Sequence, residues 1–171
     1  ELKEFELTIL STGLYGVNIE KFIINSGVGG NGKGVINELT MKTVGNYGYI
    51  LNKTVLTQPL KSGCNPEIAG MHNKRFVLTS EPDENGKIIT STVKEISGGQ
   101  TINARMAHSN NTVTKLKCTL SCECNNKPKL DAVNPAMARR LLEIPFESQF
   151  VDKKIYDSLT EKQKQGVFVG N

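Results

Sequence analysis

Phe22-Ile23-Ile24-Asn25-Ser26-Gly27-Val28-Gly29-Gly30-Asn31-Gly32-Lys33-Gly34 decides how this 171-residue chain reads. Gly27, then Gly32 and Lys33 after four intervening residues, reproduce the spacing of a phosphate-binding loop. An apolar strand delivers the chain to a tight turn, and glycines let the turn's amides point inward. A phosphate can then sit on those amides and on the N-terminus of the helix that follows. Gly27, Gly29, Gly30, Asn31, Gly32, Lys33 and Gly34 are the residues that would surround it, with Lys33 reaching the β/γ-phosphates. One position departs from the pattern. Magnesium is ordinarily held by a Ser or Thr after the lysine, and here Gly34 and then Val35 follow, neither with a hydroxyl.

The loop's surroundings predict its context. Ile19–Asn25 reads as a strand, and a helix runs from the loop to about Val44. Before them, Phe5, Leu7, Ile9, Leu10 and Leu14 lie at helical spacing, which predicts a helix over Leu2–Tyr15. Beyond them, Gly45–Gly63 is ambiguous, and Pro66–Met71 predicts a short helix. Arg75–Thr79 reads as a buried strand and Ile88–Ile96 as a helix closed by Gly98 and Gly99. Thr101–Lys115 predicts a hairpin or loop around Asn110–Asn111. Leu116–Cys122 predicts a strand, Asn134–Arg140 a short helix, Leu141–Phe146 a strand, and Asp152–Gln165 a polar helix. Strands alternating with helices argue for an α/β fold with a mostly parallel sheet covered on both faces.

Composition sets the bounds. The length suits one domain, 1–171, with a real core; 1–18 forms a helical lead-in and 152–171 a helical tail. A start at Glu1 rather than Met predicts a piece of a longer protein. No apolar run approaches the ~18 residues of a membrane span, and nothing at the N-terminus resembles a signal peptide. The net charge of +4 and pI of about 8.9 permit nucleic-acid binding. Zero tryptophans and 6% aromatics argue against base stacking as its main device. Cys118, Cys122 and Cys124 share parity, so on a strand they point to one face. Their spacing lacks the paired turn motif of a zinc site, so they read, with Cys64, as reduced thiols of an intracellular protein. His72 and His108 have no ligand partner at a recognisable spacing and read as structural.

Three further segments carry chemistry. Phe76-Val77-Leu78-Thr79-Ser80-Glu81 is an apolar strand ending in an acid. Beside a phosphate loop such a carboxylate holds magnesium or orients the attacking water, so Glu81 is the candidate, ahead of Asp83 and Glu84. The strand around Cys122 leads to Asn125-Asn126-Lys127-Pro128. An asparagine at a strand end can both donate and accept hydrogen bonds between a γ-phosphate and a water, although Asn-Asn-Lys-Pro alone signals only a turn. Arg139 and Arg140 precede the strand that ends Ile144-Pro145-Phe146. On that segment alone they read as a solvated basic pair.

Taken in order, these segments resemble the viral and phage superfamily 3 helicases, most closely the primase-helicases of large DNA viruses and phages. The matching residues are Gly30–Lys33; Lys74–Glu81; Lys94, Gly98, Gly99 and Arg105; Asn125 with Pro128; and Arg139, Arg140 and Ile144–Phe146. The resemblance runs from about Leu14 to Phe150. It departs at Gly34, where the family has Ser or Thr, and at Gln100, where an acid is usual. It implies a AAA+-like three-layer core working as a ring, usually a homo-hexamer, with ATP and Mg2+ between subunits. Glu81 would activate water and Asn125 would sense the γ-phosphate. Arg139 or Arg140 would act across the interface. Lys94, Arg105 and Lys115 would face single-stranded or forked DNA, with His108 and Lys117 nearby. A primase would be fused or associated, and the setting would be the host cytoplasm or a viral replication site.

Two other functions compete. A small nucleotide kinase shares Gly32-Lys33-Gly34, but Val35 stands where those enzymes have Thr, and no arginine-rich lid is evident. A nucleotide-dependent assembly module that has lost hydrolysis draws its support from Gly34.

Overall fold

The computed structural model describes residues 2–61, 63–83, 86–105 and 113–170. The chain runs α1 (Leu2–Tyr15), β1 (Phe22–Ser26), α2 (Lys33–Val44), β2 (Gly48–Ile50), β3 (Gly63–Cys64), α3 (Pro66–Gly70), β4 (Phe76–Ser80) and α4 (Thr90–Ser97). It continues through β5 (Thr101–Arg105), β6 (Val113–Lys115), β7 (Thr119–Cys124), α5 (Pro135–Ala138), β8 (Leu141–Pro145), β9 (Gln149–Val151), α6 (Lys153–Ser158) and β10 (Val167–Val169).

The main sheet has the order β2-β4-β7-β1-β8, and every pairing in it is parallel. All five residues of β1 are buried, as a central parallel strand covered on both faces requires. Alternation along β7 separates the two faces. Leu120, Cys122 and Cys124 join Phe22, Ile24 and Val77 in one core cluster with Val93 and Ile96 of α4. On the opposite face the Thr119 hydroxyl meets that of Thr12 in α1 at 2.6 Å, and Glu123 accepts from Asn37 of α2 at 2.9 Å. Helices therefore lie on both faces, making three layers. Short helices start where their caps dictate: the side chains of Asn65 and Asn134 accept from Ile68 and Met137, with Pro66 and Pro135 in the first turn.

Two small sheets stand apart. β3 pairs parallel with β5, and β5 antiparallel with β6. The hairpin expected over Thr101–Lys115 is thus present; its expected turn at Asn110–Asn111, with His108, lies outside the described residues. The second small sheet pairs β9 with β10.

Several boundaries differ from expectation. The strand expected over Leu116–Cys122 is β7, shifted to Thr119–Cys124, so Asn125 is the residue just after it. The expected helical tail is mostly absent. The helix there spans only Lys153–Ser158, and Val167–Val169 forms a strand. Thr160 and Gln163 bond to each other in a local turn, and Gly166 has φ 77°, which a continuing helix excludes. The branched and aromatic run Val167-Phe168-Val169 suits a strand, and Phe168 packs on Phe150 with ring centroids 5.8 Å apart.

Candidate phosphate-binding site

Parallel pairing brings strand ends together. Ser26, the last residue of β1, lies opposite Cys124 of β7 and Pro145 of β8, while Ser80 of β4 lies opposite Glu123. The loop after β1, Glu81 after β4 and Asn125 after β7 therefore share one carboxyl edge. In open α/β sheets that edge is where ligands bind.

The loop is built on glycine. Gly27, Gly30 and Gly32 have φ of 145°, 76° and 89°. A Cβ at Gly27 would overlap the Phe146 carbonyl oxygen and the Asn31 amide. Gly32 precedes α2 in the left-handed region and offers no side-chain cap; the Lys33 amide makes only a long bond to Asn31 Oδ1, at 3.4 Å, so the helix N-terminus can still serve another acceptor. Lys33 is 3% exposed. Its Nζ donates to the Gly27 carbonyl, to Asn31 Oδ1 at 3.1 Å and to the Val28 carbonyl at 3.4 Å. A buried ammonium folded among loop acceptors is positioned for an anion seated on that loop. The segment between β8 and β9 holds the loop from outside: Asn31 Nδ2 donates to the Phe146 carbonyl at 3.1 Å, and the Phe150 amide to the Gly30 carbonyl at 2.6 Å.

Glu81 follows β4, half-buried, and its amide donates to the Glu123 carbonyl at 2.8 Å. Its Oε2 accepts the Asn125 amide at 2.9 Å. The carboxylate and the asparagine thus form one unit, with the Asn125 side chain exposed. Cys124 feels both charges of the site. Burial, reinforced by Glu81 and opposed by Lys33, pushes its thiol up to about 11.

Two acids in this region escape a reading by motif. Glu123 sits inside β7, and its Oε1 lies 3.9 Å from where a Cβ at Gly34 would be. The side chain that is missing at Gly34 would therefore have pointed toward a carboxylate. Glu143 in β8 accepts from Ser26 Oγ at 2.7 Å and pairs with Lys127 at 2.8 Å. Lys127 foremost, then Ser26, hold its carboxyl below the ordinary range. An acid within an otherwise apolar strand is the signal that marks Glu123 in the sequence.

The arginines lie elsewhere. The Arg140 carbonyl accepts the Phe22 amide at the start of β1, so both arginines stand at the opposite sheet edge from the loop. The length of β1 separates them from it, about 16 Å at ~3.3 Å per residue. Arg140 is buried, with Nη1 donating to the Ala136 carbonyl at 2.9 Å and Nη2 to Glu20 at 3.3 Å. Arg139 is exposed. The three expected DNA contacts lie on different elements. Lys94 lies half-buried on α4, Arg105 ends β5, and Lys115 pairs with Thr101 at the base of the hairpin. Among the described residues, no group of three or more His, Cys, Asp or Glu side chains could hold a metal by itself. No described helix is long and apolar enough to cross a membrane.

No family model matches the chain. Among individual proteins it is 32% identical over 167 residues to "Putative helicase L207/L206" of Acanthamoeba polyphaga mimivirus, covering 96% of this chain and 17% of that protein. It is 29% identical over 165 residues to "Primase D5" of Fowlpox virus (strain NVSL), covering 92% of this chain and 21% of that protein. The chain thus spans about a fifth of the length of these curated relatives. The solved apo structure of the NrS-1 C-terminal region (305–718) superimposes with a TM-score of 0.66 at 17% identity, covering 96% of this chain and 39% of that one. That likeness establishes the fold, an α/β core built on a mostly parallel sheet flanked by helices.

Proposed function

We propose that this chain, a homologue of one segment of viral helicases and primases, is the ATP-hydrolysing motor of a superfamily 3 DNA helicase acting in viral or phage replication. One observation carries the reading. The glycine loop with Lys33, and Glu81 joined to Asn125, meet at one carboxyl edge of a parallel sheet. Loop amides and Lys33 would bind the phosphates of ATP. Glu81 would accept a proton from the attacking water, oriented through the Asn125 backbone that bonds its Oε2. The Asn125 side chain would bridge that water and the γ-phosphate.

Glu81 and Glu123 are hard oxygen donors, and their chemistry fits Mg2+. Magnesium, when bound, neutralises charge on the β- and γ-oxygens. With Gly34 lacking a hydroxyl, these carboxylates and water would complete its shell.

Arg139 is the better candidate to act on a neighbouring subunit of a homo-hexamer. It is exposed, whereas Arg140 is committed to its own chain. Arg105 and Lys115 on the hairpin strands, with Lys94 on α4, would contact DNA phosphates, giving binding that weakens with salt.

The test is steady-state ATP hydrolysis with magnesium, with and without single-stranded DNA, beside Lys33→Ala and Glu81→Gln. The reading expects DNA-stimulated turnover, lost with ATP binding in Lys33→Ala. In Glu81→Gln, turnover falls about 10²–10⁴-fold while binding persists. Transfer of phosphate to a nucleotide acceptor would instead favour a kinase. Gly34 favours one second reading, a nucleotide-dependent assembly module; it expects ATP binding and ring formation without turnover in a longer chain that contains this one.

A further inference from the structure

A cavity of about 810 Å³ opens beside the phosphate loop, between α1 and the segment that follows β8. Gly30, Asn31 and Gly32 form one side of it. Val35, Ile36, Phe146 and Phe150 give it apolar walls. Flat apolar walls next to a phosphate site suit a heterocyclic base. Glu6 of α1 lines it, and the Glu6 carboxylate is unpaired among the described residues: Oε1 is enclosed with no hydrogen-bond partner, which leaves Oε2 as the oxygen that can meet a ligand in the cavity. A carboxylate is an acceptor only, and a buried one without a donor costs free energy. Its charge is spread over both oxygens, so a donor brought to either relieves the deficit. Burial also pushes the Glu6 carboxyl above its ordinary range, consistent with a group awaiting a donor.

We propose that Glu6 is the base-reading residue of the nucleotide site, accepting the exocyclic amino group of adenine and so selecting ATP. The inference rests on the triphosphate occupying the Gly27–Lys33 loop. An amino group is the one donor on adenine's six-membered edge, and a carboxylate is its natural acceptor. A hydrogen bond to a charged group is worth about 1.5–3 kcal/mol, roughly a ten- to hundredfold change in affinity.

The test compares ATP with purine riboside triphosphate, which lacks only the 6-amino group. Affinities for the whole chain and for Glu6→Gln and Glu6→Ala would be measured by calorimetry. Wild type is expected to prefer ATP by about tenfold or more. Glu6→Ala should bring the two ligands to within about threefold, mainly by weakening ATP, while Glu6→Gln, whose carbonyl oxygen still accepts but without charge, should keep a smaller preference. Equal binding of the two ligands by wild type would overturn the inference and leave the phosphate site standing. A preference that survives in both variants would overturn it too, as would equal weakening of both ligands, the mark of packing alone. No binding of either ligand would remove the inference together with the nucleotide reading on which it rests.

Discussion

Replacing Gly27 with Ala should damage this protein more than replacing Gly29, although both glycines belong to the same loop. Gly27 has φ 145°, where side chains are rarely tolerated, and its Cβ would overlap a backbone carbonyl, that of Phe146, and the Asn31 amide. The carbonyl is backbone, and the Asn31 side-chain amide is pinned by its bonds to the Phe146 carbonyl and Lys33 Nζ. Strain of this kind costs about 1–3 kcal/mol, and forcing atoms into an occupied space about 1–3 more. The sum is about 4 kcal/mol, a large share of a small domain's stability. Gly29 has open space within 4 Å and is not among the positive-φ glycines. Gly29→Ala should therefore stay within about 0.5 kcal/mol of wild type. Urea unfolding followed by circular dichroism reads the difference. With a slope of about 2 kcal/mol per molar, the Gly27→Ala midpoint should fall by roughly 2 M and that of Gly29→Ala should barely move. A Gly27→Ala midpoint within about 0.5 M of wild type would refute the claim that the β8–β9 segment is pressed against the loop.

The two arginines should separate by readout. Arg140→Ala should lower stability by about 1–3 kcal/mol through loss of its bonds to Ala136 and Glu20. Arg139→Ala should leave the melting temperature unchanged while removing turnover in a ring-forming longer chain. Thiol titration with an aromatic disulfide should modify exposed Cys64 quickly in the native state, and Cys118, Cys122 and Cys124 only on unfolding. Burial pushes the Cys118 thiol up to about 12 and that of Cys122 higher still. Glu6→Gln should raise the melting temperature at pH 7. The folded-state carboxyl of Glu6 titrates above its ordinary 4.5, so the folded chain pays for its charge once pH exceeds that value. Below it both states are protonated, and the gain should vanish as pH falls toward 4. A gain that persists unchanged at pH 4 would point to packing instead. Lys3 and Glu147, which line the same cavity, should be held fixed in these comparisons.

Much of this arrangement is legible in the sequence, because local chemistry specifies it. Glycine at positions of positive φ, proline and asparagine at helix starts, and the unbroken burial of Phe22–Ser26 all leave direct traces. Shared parity placed Cys122 and Cys124 correctly on one face of β7, and Cys118, just before the strand, joins the same core cluster. What escaped depends on partners distant in sequence. Val167–Val169 is a strand because Gln149–Val151 lies beside it, and a polar run ahead of it invites a helix instead. Glu123 matters through Asn37 and the space left by Gly34, neither of which a strand-end motif contains. Arg139 and Arg140 look alike in sequence; only burial and the Glu20 and Ala136 contacts distinguish them. Glu6 reads as an ordinary helix acid until α1 is set against the phosphate loop.

The neighbours of β1 carry a consequence for how the molecule comes into being. Asn25 bonds to Ser121 across 96 residues of chain, Ser26 to Glu143 across 117, and Asn31 to Phe146 across 115. The strand that presents the phosphate loop thus borders only segments made much later. During synthesis the loop emerges early and must wait unpaired, its apolar strand exposed, until β7 and β8 arrive. Closing such long loops before contacts repay the entropy makes folding slow. A truncated chain ending before β7 would hold the whole glycine motif and still lack the site. Phe22-Ile23-Ile24 would then be an exposed apolar segment, a place where aggregation can begin.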